Sequence, residues 1–194
     1  MMRNLSLRHI LHRHLYLKPS KKEQGLWAFF LIFCLSTTIG IALGFEHIGG
    51  YIPCNLCLIE RFPYYISLPF LLLAGLGAWF SRMSFGVQFL FFCVFVLMIL
   101  NLILALYHVG IEYSLWPAPP SCGSSATILT TDVNQLLSQL NNTHPPSCSE
   151  ASVRFLLLSF AGWNAISGLF YASISFYVAS KGILSGRNNF KSEA

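Results

Sequence analysis

Four long apolar segments separate the polar parts of this chain. They cover residues 26–45, 62–80, 87–107 and 153–178. A helix that crosses a bilayer needs about 20 predominantly apolar residues. Each segment is close to that length or exceeds it, and the fourth is long enough to tilt in the membrane. The sequence therefore predicts an all-α membrane protein built as a bundle of four transmembrane helices.

Charge is scarce in this chain, and its placement argues against a nucleic-acid-binding protein. Only 10% of the residues are charged and 55% are apolar, whereas about a quarter of the residues in a soluble domain are charged. The net charge is +5, but most basic residues flank the apolar segments instead of forming one patch. They precede the first segment or follow the last one: Arg3, Arg8, Arg13, Lys18, Lys21, Lys22, Lys181, Arg187 and Lys191. This distribution is a topology signal of a membrane protein.

The same charges predict which loops share a side of the membrane. Cytoplasmic loops are enriched in Lys and Arg, which assigns the basic segment 1–25, the turn around Arg82 and the tail 181–194 to the cytoplasm. The loops 46–61 and 108–152 then face outward, so that both loops lie in the same outer compartment.

The first apolar segment could instead be a cleaved signal peptide. Its apolar stretch, 26–45, is longer than the roughly 7–15 residues of a signal-peptide core, and no A-x-A cleavage site follows it. We therefore expect the segment to be retained, in a single transmembrane domain that covers residues 26–180.

Cysteines occur in both predicted outer loops. The first loop carries a tight C-x-x-C pair, Cys54 and Cys57, and the second carries a wide pair, Cys122 and Cys148, each preceded by Pro-Pro-Ser. If the apolar segments cross a membrane, both pairs emerge on the same side. Two such pairs at one membrane surface favour electron transfer by thiol–disulfide exchange.

The tight pair lies at the expected start of a helix. Pro53 suits a helix entry, and a thiol at Cys54 would then feel the positive end of the helix dipole, which favours the thiolate. Arg61 follows Cys57 by four residues, so both lie on one helix face. A cation there could stabilise a thiolate or a reduced anionic cofactor. Alternatively, Arg61 reaches the lipid headgroups or pairs with Glu60.

Polar residues also lie within the later apolar segments and at their ends. His108 and Glu112 lie one helical turn apart at the outer end of the third segment, where they could line a polar pocket or mark the membrane interface. Asn101 and Asn164 lie within apolar segments, and we expect them to form hydrogen bonds between helices.

The second outer loop contains a short amphipathic pattern between its cysteines. Residues 127–142 predict a helix that is too short to span the membrane and either lies in the interface or packs on the other loop. Cys122 and Cys148 would then lie on flexible arms on either side of it. A mobile dithiol of this kind suits a soluble redox partner.

Two alternatives would use the cysteines only to hold the fold together. A Cys₄ zinc site usually has two C-x₂₋₄-C knuckles, but this chain has one, so we expect no metal. A structural disulfide between Cys122 and Cys148 would contribute about 3 kcal/mol. A C-x-x-C pair closes almost no loop, which favours a redox role for the tight pair.

The residues around the tight pair resemble those of a known family. The segment from Cys54 to Arg61 reads C-N-L-C-L-I-E-R and is similar to the C-x-x-C-x-x-x-R signature of DsbB, the inner-membrane protein of bacterial disulfide formation. The resemblance extends to the four apolar passes, the wide pair and the A-G-W-N stretch at residues 161–164. It covers roughly residues 26–180.

This resemblance implies an enzyme. DsbB-like proteins reoxidise DsbA, a soluble periplasmic dithiol oxidase, and pass two electrons to a membrane quinone, here ubiquinone or menaquinone. By the same resemblance, Cys122 forms the mixed disulfide with the partner and Cys148 is its pair, while Cys54 exchanges with the wide pair.

The resemblance also implies a quinone site. Cys57 would face the quinone, and Arg61 would help to bind it and stabilise its charge. Some members carry a quinone-linked histidine near the outer end of the third pass, for which His108 is the candidate in this sequence.

Three other functions remain open at this point. The chain could be a DsbB-like oxidase dedicated to one particular partner, or a non-enzymatic four-pass scaffold with structural disulfides. It could also resemble vitamin K epoxide reductase, but the C-x-x-C of that family is expected in a late core helix and not at the start of the second.

Overall fold

A computed structural model of the protein describes residues 21–80, 84–122, 147–149 and 154–192. These parts of the chain form four long helices, which we label in chain order: α1 Lys21–His47, α2 Asn55–Phe80, α3 Ser84–Glu112 and α4 Phe160–Ser192. A 3₁₀ turn, Pro120–Cys122, follows α3, and a small hairpin of β1 (Arg154–Phe155) and β2 (Leu158–Ser159) precedes α4. The predicted interfacial helix at 127–142 lies outside the described residues.

The helices pack as a four-helix bundle, which confirms the predicted all-α architecture. Neighbours in sequence are neighbours in space: α1 packs on α2, α2 on α3 and α3 most extensively on α4, whereas α1 and α4 contact each other sparingly. Fully buried apolar side chains from the first three helices fill the centre, namely Leu31, Leu35, Leu71, Phe91, Val94 and Met98.

Three of the four helices are long and apolar enough to cross a membrane. Among the described residues these spans are Lys22–His47, Asn55–Phe80 and Phe85–Glu112. The fourth helix, α4, carries Asn164 and several serines, such as Ser167 and Ser175, along its length. Small and polar residues of this kind suit contact between helices in a membrane, and they explain why α4 is less apolar than the other three.

The second helix begins earlier than the apolar pattern predicts. Its first residue is Asn55, not residue 62, so the C-x-x-C pair spans the helix start. The amide of Leu58 donates to the carbonyl of Cys54 at 3.2 Å, which makes Cys54 the cap of α2. This geometry agrees with the prediction that Cys54 lies at a helix N-terminus.

The fourth helix begins later than predicted, at Phe160 instead of residue 153. The difference arises because residues 154–159 pair as an antiparallel hairpin. The amide of Gly162 then donates to Ser159 Oγ at 3.2 Å. Serine is a favoured residue for capping a helix start, so α4 begins directly after it.

Candidate functional site

The four loop cysteines gather at one end of the bundle, which we call the cysteine end. Cys54, Cys122 and Cys148 are buried there in one cluster with Leu56 and Ile111, and Cys57 packs against that cluster. The sequence suggested only that the two pairs share a side of the membrane. The fold adds that they are packed together, which is a condition for direct exchange between them.

The tight pair holds two closely spaced free thiols. Cys54 Sγ lies 2.8 Å from Cys57 Sγ, and the amide of Cys57 donates to Cys54 Sγ at 3.3 Å. This arrangement follows from the C-x-x-C spacing on the first turn of α2, where the backbone amides have no partner within the helix. Cys54 is buried, while Cys57 is partly exposed.

A histidine from α3 contacts the tight pair. His108 Nε2 lies 3.8 Å from Cys54 Sγ, and His108 Nδ1 lies 2.9 Å from Glu60 Oε1, to which it donates. Both His108 and Glu60 are buried. A buried carboxylate is costly unless it is paired, and the imidazole supplies that pairing. Cys54, His108 and Glu60 therefore form a chain of thiol, imidazole and carboxylate.

A network of polar side chains from three helices holds Glu60 in place. Asn164 Nδ2, on α4, donates to Glu60 Oε2 at 2.7 Å. Asn164 Oδ1 accepts from the hydroxyl of Tyr64 and, at 3.2 Å, from Asn101 Nδ2 on α3. The predicted hydrogen bonding of Asn101 and Asn164 between helices is confirmed. Because α2, α3 and α4 all contribute, the packing of the bundle itself sets the position of the carboxylate.

The environment of Cys54 stabilises its thiolate. The hydrogen bond with the Cys57 thiol is the main cause, and it helps to lower the pKa of Cys54 from its ordinary 9.0 to about 4. Burial acts in the opposite direction, while the hydrogen bonds with His108 and with the Cys57 amide lower the pKa further. These contacts favour the thiolate form of Cys54, and a thiol of low pKa is a good leaving group in disulfide exchange.

Arg61 points toward α1 and not toward its sequence neighbour. Its Nη1 donates to Glu46 Oε2 in an ion pair, while Glu60 faces His108. The alternative of an Arg61–Glu60 pair is therefore not what the fold forms. Arg61 still lies one helical turn from Cys57 on α2, and its role toward a quinone stays a prediction.

The wide pair forms a disulfide that is buried. Cys122 and Cys148 form a disulfide with their Cα atoms 5.4 Å apart. Cys122 is 3% exposed and Cys148 is 1% exposed. We expected these cysteines on extended, reaching arms. Instead, the described structure packs the disulfide against Ile111 and Cys54, because the bonded sulfurs are apolar and complete the cluster at the cysteine end.

The donor atoms of the tight pair and His108 also bear on the question of a metal. Cys54 Sγ, Cys57 Sγ and one imidazole nitrogen of His108 all lie within 4.8 Å of one another. A site of four cysteines is not formed, since Cys122 and Cys148 are bonded to each other. That no metal is used stays a prediction.

The segment that leads from α3 to Cys122 is fixed by one aromatic contact. Trp116 stacks on Tyr107 with the rings 5.8 Å apart and donates from Nε1 to the Tyr107 carbonyl at 2.8 Å. The indole occupies the space above Gly110, where an added Cβ would lie only 2.0 Å from Trp116 Cζ2. Glycine at 110 therefore permits the chain to fold back over α3 toward the disulfide.

Substitution of this glycine is a test of the folded-back segment. We expect Gly110→Ala to displace Trp116 and to destabilise the protein by about 1–3 kcal/mol, the usual cost of overpacking. A lowered midpoint of thermal unfolding in detergent and a changed near-ultraviolet circular dichroism spectrum would report it. The matched control is Gly44→Ala, whose added Cβ meets nothing within 4 Å. Equal midpoints for both variants would contradict the contact.

Sequence reasoning missed Glu60 as the partner of His108, and it missed the part played by Tyr64. A signal was available, because an ionisable residue inside an apolar helix marks a functional-site candidate. Its partner was not readable, since His108 lies 48 residues away and meets Glu60 only through the packing of α2 on α3.

Comparison with known proteins agrees with the resemblance found in the sequence. Residues 23–178 match the family described as "Disulfide bond formation protein DsbB". The chain is 26% identical over 144 residues to the uncharacterized protein RP370 of Rickettsia prowazekii (strain Madrid E), an alignment that covers 70% of this chain and 78% of the relative. No solved structure matches the chain.

Proposed function

Because the chain belongs to the DsbB family, we propose that it reoxidises a periplasmic DsbA-like dithiol oxidase and passes the electrons to a membrane quinone. Family membership makes it a multi-pass membrane thiol oxidoreductase with a role in disulfide bond formation. The identity of the partner and of the electron acceptor belongs to the proposal, as does the placement of the cysteine end in the periplasm of a bacterial inner membrane.

One observation carries the proposal: the Cys54 sulfur, in contact with Cys57 and His108, lies in the same buried cluster as the Cys122–Cys148 disulfide. A structural disulfide would need no activated thiolate beside it. An exchange enzyme needs one, because the rate of exchange depends on the thiolate and on the pKa of the leaving thiol.

The electrons then follow a defined order. The partner's dithiol attacks the wide disulfide at Cys122, and a mixed disulfide forms while Cys148 leaves as a thiol. The partner's second thiol releases Cys122, so that the partner is oxidised and the wide pair is reduced. In the next exchange, the wide dithiol is oxidised back to a disulfide, and an oxidised Cys54–Cys57 pair accepts the two electrons.

The described geometry suits that internal exchange. The buried Cys54 sulfur lies in one cluster with Cys122 and Cys148. Cys54 leaves the internal mixed disulfide as a stabilised thiolate, and the hydrogen bonds from Cys57 and His108 favour its departure.

Energy explains why a further acceptor is required. A DsbA-type oxidase has a reduction potential near −120 mV, while ordinary structural disulfides lie below about −300 mV. Oxidising such a partner with an ordinary disulfide would be uphill by roughly 180 mV, or on the order of 8 kcal/mol. A quinone supplies the missing driving force as a two-electron, two-proton acceptor.

The residues near Cys57 fit a quinone. Cys57 is the partly exposed thiol of the tight pair, and the exposed aromatic side chains of Phe62 and Tyr65 follow it on α2. These rings can flank a flat quinone ring. Arg61 lies beside them, with a cation to balance developing negative charge. His108 Nδ1 donates to Glu60, and with a second proton on Nε2 the imidazolium would donate to the Cys54 thiolate and stabilise it.

A direct assay tests the proposal. The purified protein is incubated with a reduced DsbA-type partner and ubiquinone-1, and the quinone absorbance is followed. We expect a loss of quinone absorbance that requires both the protein and the reduced partner. Quinone that stays oxidised in the complete mixture, with the protein shown to be folded, would contradict the proposed reaction.

Trapping of the intermediate tests the role of the wide pair. In a Cys148→Ala variant Cys122 is a thiol, and we expect it to attack the disulfide of the oxidised partner, so that a mixed disulfide with Cys122 forms and one partner cysteine leaves as a thiol. The adduct accumulates because Cys148 is not present to displace the partner. Peptide mapping of the adduct under non-reducing conditions identifies the cysteine. An adduct through Cys54 would show that the partner exchanges directly with the tight pair, which would contradict the proposed order.

A further inference from the structure

The hairpin between the second loop and α4 has an unusual turn. Arg154 pairs with Ser159 and Phe155 with Leu158, which leaves Leu156 and Leu157 as a two-residue turn. Both have positive φ, 51° and 68°. Such turns favour Asn-Gly, because these residues adopt positive φ readily. Positive φ is sterically unfavourable for leucine because of its Cβ. The turn therefore carries two apolar side chains on a strained backbone.

Those side chains find no partner in the described part of the protein. Leu156 is 71% exposed and Leu157 is 92% exposed, and Phe155 beside them is also exposed. We call these three residues the hairpin tip. A tip of this composition would be unfavourable in water, since it combines exposed apolar surface with a strained turn.

The position of the hairpin indicates what covers the tip. The hairpin continues directly into α4, whose outward side chains Ile166, Leu169 and Phe170 are exposed on a membrane-spanning bundle and so face lipid. It is also tied to the first turn of that helix: Trp163 Nε1 donates to the Phe155 carbonyl at 3.0 Å. Tryptophan is enriched at the boundary between lipid and water.

The charge of Arg154 and the backbone of the hairpin also suit a position at the boundary between lipid and water. Arg154, at the base of the hairpin, is exposed and can reach a lipid phosphate, which attracts basic side chains. A two-stranded hairpin has unpaired backbone groups on its edges, which the hydrocarbon core does not tolerate. The headgroup region does tolerate them, because it contains water.

We propose that the hairpin tip inserts into the interfacial layer of the lipid bilayer beside the outer end of α4. The occupant of this surface is lipid: Leu156, Leu157 and Phe155 are buried between headgroups and acyl chains, while Arg154 stays at headgroup level. The burial of the tip compensates for its strained turn. This inference goes beyond the proposed function, since it depends on no step of electron transfer.

Site-specific photo-crosslinking in native membrane vesicles tests the insertion. The variant Leu157→p-benzoylphenylalanine is irradiated, and its adducts are identified by mass spectrometry. We expect phospholipid adducts, as in the positive control Leu169→p-benzoylphenylalanine on the lipid-facing side of α4. The exposed loop position Ala118, changed in the same way, is the matched control for a site in water. An adduct with a protein, or none while Leu169 reacts, would overturn the proposal.

A second variant tests whether the leucines hold the hairpin in the bilayer or only form its turn. The reporter is placed at Phe155, and Leu156→Asn with Leu157→Gly converts the tip to a favoured turn sequence. If lipid covers the tip, these changes should reduce the phospholipid adduct at residue 155 to the level of the Ala118 control. An undiminished adduct would show that the leucines do not hold the hairpin in the bilayer. Retained unfolding temperature verifies that both proteins are folded.

Discussion

Replacement of Cys57 by serine is expected to abolish quinone reduction while the protein remains folded. Without the Cys57 sulfur, the tight pair cannot form a disulfide and so cannot release two electrons. The partner-dependent quinone assay should give no turnover. The control Cys93→Ser alters a thiol in the first half of α3, which lies outside the cysteine cluster, and should retain full activity. A non-enzymatic scaffold with structural disulfides would not reduce quinone in the first place, and Cys57→Ser would at most lower its stability.

Two different substitutions of Cys57 distinguish its redox role from its effect on the pKa of Cys54. A hydrogen bond with Cys57 is the first cause of the low Cys54 pKa, and a serine hydroxyl can also donate to a thiolate. An alanine cannot donate. Both Cys57→Ser and Cys57→Ala should therefore be inactive, but only Cys57→Ala should raise the pKa of Cys54 strongly.

Alkylation measures this difference. Because the folded pKa of Cys54 is depressed to about 4, its thiolate is present above that pH and is lost as the pH falls through it. The iodoacetamide reaction at Cys54, identified by mass spectrometry, should thus stay nearly constant from pH 8 to about pH 5 in the unchanged protein and decline around pH 4, and Cys57→Ser should keep most of this profile. In Cys57→Ala the decline should begin at a higher pH. Identical profiles would contradict the assigned hydrogen bond.

Replacement of Glu60 by glutamine is expected to slow partner-dependent quinone reduction by about 10- to 100-fold. A hydrogen bond to a charged group contributes about 1.5–3 kcal/mol, and each 1.4 kcal/mol is a factor of ten. Glutamine keeps the shape and can still bond Asn164, but it removes the negative charge that supports a protonated His108. With a neutral His108, the Cys54 thiolate loses part of its stabilisation.

The matched control for this change is Glu46→Gln. Glu46 is an acid at the same end of the bundle, but its partner is Arg61, not His108. The alkylation profile of Cys54 should shift to higher pH in Glu60→Gln and stay unchanged in Glu46→Gln. If His108→Ala gives the same shift as Glu60→Gln, and the double variant adds nothing, the carboxylate acts through the imidazole. Additive shifts would show that Glu60 acts on Cys54 independently.

The apolar segments and the local cysteine spacing predicted the number of helices and the position of Cys54 at a helix start. Hydrophobic runs of bilayer length predicted four helices, and all four are present. The C-x-x-C after Pro53 predicted that Cys54 lies near a helix N-terminus, and the bond from the Leu58 amide to the Cys54 carbonyl agrees with that position. These features depend on residues close together in the chain, so they can be read without knowledge of the packing.

The sequence predicted the start of α4 less well. Residues 153–159 are largely apolar and continue the pattern of α4, yet residues 154–159 form a hairpin. The local signal for the true start was Ser159, whose hydroxyl caps the helix. Hydropathy alone cannot separate a strand of apolar residues from the first turns of a helix.

By itself, the sequence determined the class of the molecule and the chemical types at its site: an apolar four-helix chain with two cysteine pairs and a C-x-x-C at a helix start. Only the tertiary structure decided which residues meet. The pairing of His108 with Glu60, the bond from Asn164 and the covering of the Cys122–Cys148 disulfide all join residues from different elements. Their contacts depend on the rotation and depth at which the helices pack, and a uniformly apolar helix does not encode these in its periodicity.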